Sequence, residues 1–196
     1  MAEDNVTPDR CVIGVGIPTS KAAFEAAIAR GGRRFADQFL GGWVQYREQW
    51  IFRWWKFTAG IAPLGVEIVT DLTLARFKSM LLKGRDVVVL LSHWDGDRVE
   101  FADGFAGYSQ VAQTIPPQFT GILDLGVCHP DALVCEILRT RPGCLARYIP
   151  ERVKPDLLLL FYQALFVLLK EGTRTYAEAL KELTLGLVGQ DERRVK

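Results

Sequence analysis

The chain has 196 residues, of which 49% are hydrophobic and 24% charged, so one sizeable domain can form its core without disulfides or a structural metal. Its formal net charge of +1 argues against a general binder of polyanions, and we expect no nucleic-acid partner. A local basic patch is still compatible with this charge.

The apolar stretches of the sequence are too short to cross a membrane. The longest one, LLLLFYQALFVLL at residues 157–169, has 13 residues and includes Gln163. A spanning helix needs roughly 20 residues. We therefore predict a buried helix at this position and no membrane span.

The start of the chain and the spacing of the cysteines indicate the cellular compartment in which we expect the protein. The segment MAEDNVTPDR lacks the basic region followed by an apolar stretch that marks a secretion signal. The four cysteines, Cys11, Cys128, Cys135 and Cys144, include no CxxC pair of the kind that builds a zinc ribbon. We expect reduced thiols in a cytoplasmic protein.

Short apolar runs alternate with segments of helical periodicity, a pattern typical of an α/β fold with a largely parallel sheet. Strands are predicted at residues 11–17, 65–70, 86–92, 121–127 and 143–149. Helices are predicted at residues 21–30, 72–83, 108–115, 131–140, 155–170 and 174–187. Residues 98–104 alternate between apolar and polar and predict part of a hairpin.

Local signals mark where several of these helices begin and end. Ser20 and Asp71 are the predicted caps of the first two, and Pro130 is the predicted first position of the helix that follows the fourth strand. Gly84 ends the second helix, and Gly172 separates the last two.

No repeat, low-complexity run or linker divides the chain, so we predict one domain over residues 1–196 with flexible ends at 1–10 and 188–196. Residues 33–58 form an aromatic insertion or helix. Spacings of three and four in GGWVQYREQWIFRWWKF predict one helical stripe, made of Trp43, Tyr46, Trp50, Trp54 and Phe57. This stripe either packs on the sheet or forms a docking face for a partner protein, because Trp, Tyr and Arg dominate interface hot spots.

Two predicted strands end next to side chains that can carry out chemistry. The run VVVLLS is followed by His93, and the run ILDLGV ends on Cys128. Sequential parallel strands often lie side by side, and open α/β sheets bind ligands at the carboxyl ends of their strands. We therefore expect His93 and Cys128 to meet at that edge of the sheet.

A cysteine and a histidine placed in this way suit acyl transfer. The imidazole can take the thiol proton, while the helix predicted after Cys128 favours the thiolate and supplies N–H groups for an oxyanion. A strand-end cysteine is otherwise an inert apolar side chain, the class to which we assign Cys11, Cys135 and Cys144, and a lone histidine is otherwise structural. From the residues alone, both interpretations of His93 and Cys128 stay open.

The segment VVVLLSHWDGDRVEFADG, followed by GILDLGVCHPDALVCEIL, resembles the caspase-like cysteine protease superfamily and in particular its bacterial caspase-like and CHAT-type members. Ser92–His93 matches the motif that ends one strand of that superfamily, and Cys128 matches the nucleophile at the end of the next. The segment FYQALFVLLKEGTRTYAEAL resembles the closing helices, so the likeness covers about residues 65–187. The resemblance implies a three-layer sandwich, with a mostly parallel sheet and helices on both faces.

The resemblance also implies roles for individual residues. His93 and Cys128 would be the catalytic dyad, and the backbone N–H groups of Trp94 and Cys128 would form the oxyanion hole. This chemistry needs no metal and no organic cofactor.

Two positions depart from the pattern of the superfamily. Trp94 stands where glycine is usual, and its side chain would narrow the site. His129 follows the cysteine, as an alternative base, a surface residue or a metal-binding neighbour. A metal held by His93, Cys128 and His129 would need a fourth ligand, for which Asp95 is the candidate.

Proteases of this superfamily commonly select the residue before the cut with a charged pocket, often lined by the position two before the cysteine. Gly126 occupies that position and carries no charge. Asp124 has the same strand parity, and it either reaches the floor of the cleft, where it would favour a basic side chain, or bonds backbone N–H groups in the sheet. Asp95 is a further substrate-binding candidate.

We therefore expect a caspase-like cysteine endopeptidase that cleaves a protein substrate. The resemblance implies a regulated bacterial stress or antiphage pathway, with an activating or inhibitory protein partner. The competing hypothesis is a catalytically inactive adaptor of the same fold that binds a partner through its Trp-rich surface. Trp94 and the pair His129–Pro130 favour that hypothesis.

Overall fold

The computed structural model describes residues 5–31, 42–95, 97–128, 130–148 and 155–191. Its strands are β1 (Cys11–Val15), β2 (Glu67–Val69), β3 (Val87–Leu91), β4 (Trp94–Asp95), β5 (Arg98–Phe101), β6 (Gly104–Gly107), β7 (Ile122–Gly126) and β8 (Leu145–Tyr148). Its helices are α1 (Lys21–Gly31), α2 (Gly42–Tyr46), α3 (Phe52–Ile61), α4 (Leu74–Leu81), α5 (Tyr108–Thr114), α6 (Asp131–Thr140), α7 (Pro155–Leu169) and α8 (Tyr176–Asp191). A π turn, Arg47–Ile51, joins α2 to α3.

Five strands form a parallel sheet in the order β2-β1-β3-β7-β8, and β4, β5 and β6 form a small antiparallel sheet beside it. This confirms the predicted α/β fold with a largely parallel sheet. Each of the five predicted strands is present, slightly shorter than expected. The predicted hairpin is the pair β5-β6.

The parallel sheet is covered on both faces, because every residue of β1 and β3 is buried and neighbouring residues point to opposite sides. On the first face, Ile13 and Val89 pack with α1, α2, α3, α7 and α8. On the second face, Val12 and Val88 pack with α4, α5, α6 and the antiparallel sheet. Helices on both faces of one sheet are compatible with the expected three-layer sandwich.

The predicted helix caps agree with the structure in one of three places. The Ser20 hydroxyl accepts a hydrogen bond from the N–H of Ala23 at 3.2 Å, as expected of a cap. The cap of α4 is Thr73 and not Asp71, because the Thr73 hydroxyl accepts from the Arg76 N–H at 3.1 Å. Pro130 is the N-cap of α6, one residue before the first helical position.

Parts of the two segments predicted to be flexible have described contacts or belong to described elements. The N–H of Val6 donates to the Arg174 carbonyl at 3.1 Å, Asn5 forms a bridge with Thr175, and Val6 is buried. The flexibility expected at 1–10 and 188–196 stays a prediction. The helix α8 includes residues 188–191, while residues 1–4 and 192–196 lie outside the described part of the chain.

The aromatic stripe packs inward on the first face of the sheet. Tyr46, Trp50, Trp54 and Phe57 are buried, and the rings of Trp50 and Trp54 stack with centroids 5.9 Å apart. Residues three or four apart lie on the same face of a helix, so these spacings direct the rings toward the sheet. This confirms the packing interpretation for residues 42–58, while residues 33–41 are outside the described part.

The apolar helix predicted near residues 155–170 is α7, and it packs on the first face of the sheet. Leu159, Tyr162, Leu165, Phe166 and Leu169 are buried there. Among the described residues, no helix combines the length and the apolar character that spanning a bilayer requires.

Candidate active site

The candidate site is built on the ends of two neighbouring strands. β3 and β7 pair in parallel register, and their last residues, Leu91 and Gly126, are register partners. His93 and Cys128 each follow their strand by two residues. The structure therefore places both residues at the carboxyl edge of the sheet, one strand apart, as the sequence predicted. Both side chains are half-buried.

Hydrogen bonds hold the chain on both sides of His93. The Ser92 N–H donates to the carbonyl of Gly126 at 3.4 Å, and the Ser92 hydroxyl donates to the carbonyl of Glu100. The Glu100 N–H in turn donates to the carbonyl of His93 at 3.0 Å. The backbone that carries the imidazole is thus attached to β7 on one side and to β5 on the other.

The close approach of the antiparallel sheet depends on a glycine that the sequence analysis did not single out. A Cβ added at Gly16, just after β1, would lie 2.4 Å from the carbonyl oxygen of Glu100 and 2.9 Å from the hydroxyl of Ser92. Real side chains do not make such contacts, so only glycine lets β5 rest on the end of β1. The available signal in the sequence was a glycine inside the predicted strand 11–17, which often marks a close approach of another backbone.

Trp94 lies on β4, and its indole is half-buried against the core of the second face. Trp94 pairs with Val99 in β5, and the ladder bond beside this pair runs from Glu100 to His93. In such a pair the N–H of Trp94 points away from β5. The sequence predicted an indole that narrows the site, whereas the ring packs on core residues. Asp95 follows on β4 as the register partner of Arg98.

Cys128 lies between the end of β7 and the start of α6. Pro130, the N-cap of α6, lies two residues after the thiol, and its carbonyl accepts a hydrogen bond from the Val134 N–H at 2.8 Å. The positive end of the helix macrodipole is therefore close in sequence to Cys128. His129 lies outside the described residues.

The four cysteines differ in exposure. Cys11 and Cys144 are buried, and burial raises the pKa of the Cys144 thiol to about 11 and raises the pKa of Cys11 further. Both agree with the inert class predicted for them. Cys135 is exposed on α6, and the inert class predicted for it stays a prediction. Cys128 is half-buried.

The substrate-binding assignment of Asp124 needs correction, because this residue is fully buried. Its Oδ1 accepts hydrogen bonds from Arg147 Nη1 at 2.9 Å and from the Tyr162 hydroxyl at 2.7 Å, and its Oδ2 accepts one from the Tyr176 hydroxyl. The partners are side chains, and neither the open cleft nor the backbone N–H groups considered above. The sequence analysis placed Asp124 on the correct strand. It could not identify the hydrogen-bond donors, because they come from β8, α7 and α8, which follow later in the chain.

Gly126 is also enclosed. A Cβ added there would lie 2.5 Å from the Leu91 side chain and 3.2 Å from the Tyr162 hydroxyl. No space remains at this position for a substrate side chain, so Gly126 closes the end of β7 and does not line an open pocket.

Two cavities lie at opposite edges of the parallel sheet. The larger, about 640 Å³, is at the amino edge beside Arg10, Arg85 and Phe119, and no cysteine or histidine is among the described residues that line it. The smaller, about 290 Å³, is at the carboxyl edge between the end of β1, α1 and the β5-β6 turn, and Gly16 and Ser20 line it. We place the candidate site at the carboxyl edge because the thiol and the imidazole are there.

Among the described residues, no group of three or more His, Cys, Asp or Glu side chains could hold a metal ion. His129, which the alternative metal site requires, is not among them.

Comparison with known protein families and with curated proteins found no match.

Proposed function

We propose that the protein is a caspase-like cysteine endopeptidase with a His93–Cys128 dyad. The observation that supports this most directly is the register of β3 and β7, which leads to the imidazole and the thiol at equivalent positions past two adjacent strands. A parallel sheet with helices on both faces is compatible with the scaffold that the resemblance implies for such a dyad.

In this proposal the Cys128 thiolate attacks the scissile carbonyl carbon, and a bond forms between Sγ and that carbon. His93 carries the thiol proton to the leaving amine as the C–N bond breaks. Water then attacks the thioester, gives a proton to His93, and releases the acid and the thiol. The N–H groups of Trp94 and Cys128 stabilise the oxyanion in both steps.

The surroundings of Asp124 bear on the residue that the proposed peptidase would select before the cut. Asp124 is neutralised by Arg147 inside the core, so it contributes no acidic pocket for a basic side chain. Asp124 therefore gives no reason to propose Lys or Arg as the residue before the cut. The resemblance to bacterial caspase-like proteins adds a cytoplasmic stress or antiphage role, controlled by a protein partner.

The test uses the exposed Cys135 as an internal reference. Native protein is treated with iodoacetamide from pH 5.5 to pH 8, and the adducts on Cys128 and Cys135 are quantified by mass spectrometry. Exposure alone would make Cys135 react faster. We expect Cys128 to react faster near pH 6, and His93→Ala to remove this advantage.

A peptide library then tests for cleavage. We expect cuts that vanish in Cys128→Ala and fall by at least about a hundredfold in His93→Ala, the typical contribution of a general base. Cys135→Ala is the matched control and should cleave normally. Cleavage that persists in Cys128→Ala would refute the proposal.

The second candidate function is an inactive adaptor of the same fold, and one observation favours it. The predicted stripe is buried, but Val44, Phe52 and Trp55 are exposed on the opposite side of the same helices. Under this hypothesis Cys128 has no advantage over Cys135, and partner binding is lost in Trp55→Ala while Cys128→Ala binds normally.

A further inference from the structure

A closed group of polar side chains surrounds Asp124, in the middle of β7. Asp124, Tyr162 and Tyr176 are buried, and Arg147 is largely buried with 18% of its side chain exposed. All three donors converge on the one carboxylate. We refer to these four residues as the Asp124 cluster. The proposed catalytic steps do not use any of them.

The donors of the Asp124 cluster come from three different elements. Arg147 is on β8 and is also the register partner of Asp124. Its guanidinium carbon lies 4.4 Å from the centroid of the Phe161 ring, which fixes its plane against α7. Tyr162 is on α7 and Tyr176 begins α8. The cluster thus joins β7 to β8 and to both closing helices.

The same cluster reaches the end of β7. The Tyr162 hydroxyl would lie 3.2 Å from a Cβ at Gly126, while the Leu91 side chain of β3 encloses that position from another side. Gly126 is the last residue of β7, and Cys128 follows two residues later. The Tyr162 hydroxyl therefore lies next to the point from which the chain continues to Cys128.

Stability alone explains the cluster poorly. A buried ion pair recovers little more than its own desolvation cost, and apolar residues of similar volume often replace it without loss. A fully bonded buried network, in contrast, fixes one geometry. Burial raises the pKa values of Tyr162 and Tyr176 well above the usual value, so both hydroxyls stay protonated and keep donating throughout the neutral range.

Arg147 likewise keeps its charge. Burial lowers its pKa, but the attraction of Asp124, the hydrogen bond to Asp124 and the effects of Tyr162 and Tyr176 together outweigh burial, and the pKa of Arg147 is raised. The Arg147 guanidinium and the two tyrosine hydroxyls therefore all remain donors in the range in which a thiol and an imidazole exchange a proton.

From these contacts we infer that the Asp124 cluster positions Cys128 relative to His93. Its members are positioning residues, and this role rests on the proposed peptidase function. The cluster sets the end of β7 from the first face, while the hydrogen bonds of Ser92 and His93 set the end of β3. In this proposal the ends of β3 and β7 are thereby held at fixed positions relative to each other.

The experiment removes single hydroxyl groups. Tyr162→Phe and Tyr176→Phe retain the rings and delete one donor each, and Tyr148→Phe is the matched control, because Tyr148 packs on the second face at the end of β8. Iodoacetamide labelling of the four cysteines is measured from pH 5.5 to pH 8. The buried Cys11 and Cys144 report unfolding, and Cys135 reports the activity of the reagent.

We expect Tyr162→Phe to lower the ratio of Cys128 to Cys135 labelling near pH 6 and to lower kcat by about tenfold to a hundredfold with KM nearly unchanged, as for a small misplacement of a catalytic group. Labelling of Cys11 and Cys144 should stay at the wild-type level. Tyr176→Phe, one element further from Gly126, should have a smaller effect of the same sign, and Tyr148→Phe should have none.

The inference is overturned if both variants keep the wild-type labelling ratio and kcat while only their unfolding midpoints fall. If Tyr162→Phe does not fold, Tyr176→Phe decides in the same way. Failure of the proposed function looks different, because His93→Ala would then leave Cys128 labelling unchanged and no peptide cleavage would depend on Cys128.

Discussion

Asp124 and Cys128 lie four residues apart on the same stretch of chain and have opposite surroundings. Asp124 is inside β7, fully buried, with both carboxylate oxygens bonded to side chains of β8, α7 and α8. Cys128 lies beyond the end of β7 and is half-buried. A polar group before the strand end is thus closed off by the core, and one just past the end remains accessible.

The largest expected effect concerns the closed side of this comparison. Asp124→Ala leaves the Arg147 guanidinium buried without its counter-charge, which should cost about 3–5 kcal/mol of unfolding free energy. Urea denaturation followed by circular dichroism measures it. Asp124→Asn together with Arg147→Met removes both charges and should cost less than the single change. A double variant as unstable as Asp124→Ala would contradict this account.

Cys144 allows a comparison of a buried thiol with the accessible one. Its folded pKa is raised to about 11 from 9.0 because burial disfavours the thiolate. The contribution of the buried Cys144 thiol to the free energy of unfolding is therefore fully present below pH 9 and is lost as the pH rises through about 11. A shift of two pKa units corresponds to on the order of 2–3 kcal/mol of unfolding free energy.

We expect the wild type to lose more stability than Cys144→Ala between pH 8 and pH 11, measured by urea denaturation at each pH. Cys135→Ala, at an exposed position, should follow the wild-type curve. Parallel curves for wild type and Cys144→Ala would contradict the assignment.

A substitution at Gly16 tests whether the reactivity of the accessible Cys128 depends on the close approach of β5 to the end of β1. Gly16→Ala introduces a Cβ 2.4 Å from the Glu100 carbonyl oxygen, and the strain should cost about 1–3 kcal/mol, as for other overpacked sites. Iodoacetamide labelling of Cys128 should also fall relative to Cys135, because β5 holds the backbone of His93. Gly143→Ala is the control, since no atom lies within 4 Å of its added Cβ.

The smallest expected effect is that of Trp55→Ala, and the adjacent Trp54 provides the contrast. Trp55 is 54% exposed, so Trp55→Ala should change the unfolding free energy by no more than about 0.5 kcal/mol. Trp54 is 4% exposed, and Trp54→Ala should cost about 3–5 kcal/mol. Chemical denaturation of both variants checks the pair, and equal losses would mean that the two sides of α3 have been assigned wrongly.

The parallel sheet could be predicted because its strands are short continuous apolar runs, and the neighbouring ends of β3 and β7 followed from the order of those runs. The closed polar cluster could not be predicted. Its donors Tyr162 and Tyr176 are 38 and 52 residues away from Asp124 in sequence, and no local pattern connects them. The cap of α4 was misplaced because Asp71 and Thr73 are both good capping residues, and local backbone geometry decided between them.

The π turn between α2 and α3 has a consequence for the length of the chain. A π turn holds one residue more than an α-helix would need at the same place. Deleting Glu48 or Gln49, which are both exposed, would convert the π turn into an α-helical turn and leave α2 and α3 in their present orientation. Arg47–Ile51 is therefore a point where a single-residue deletion should be tolerated, with the aromatic side chains still facing the sheet.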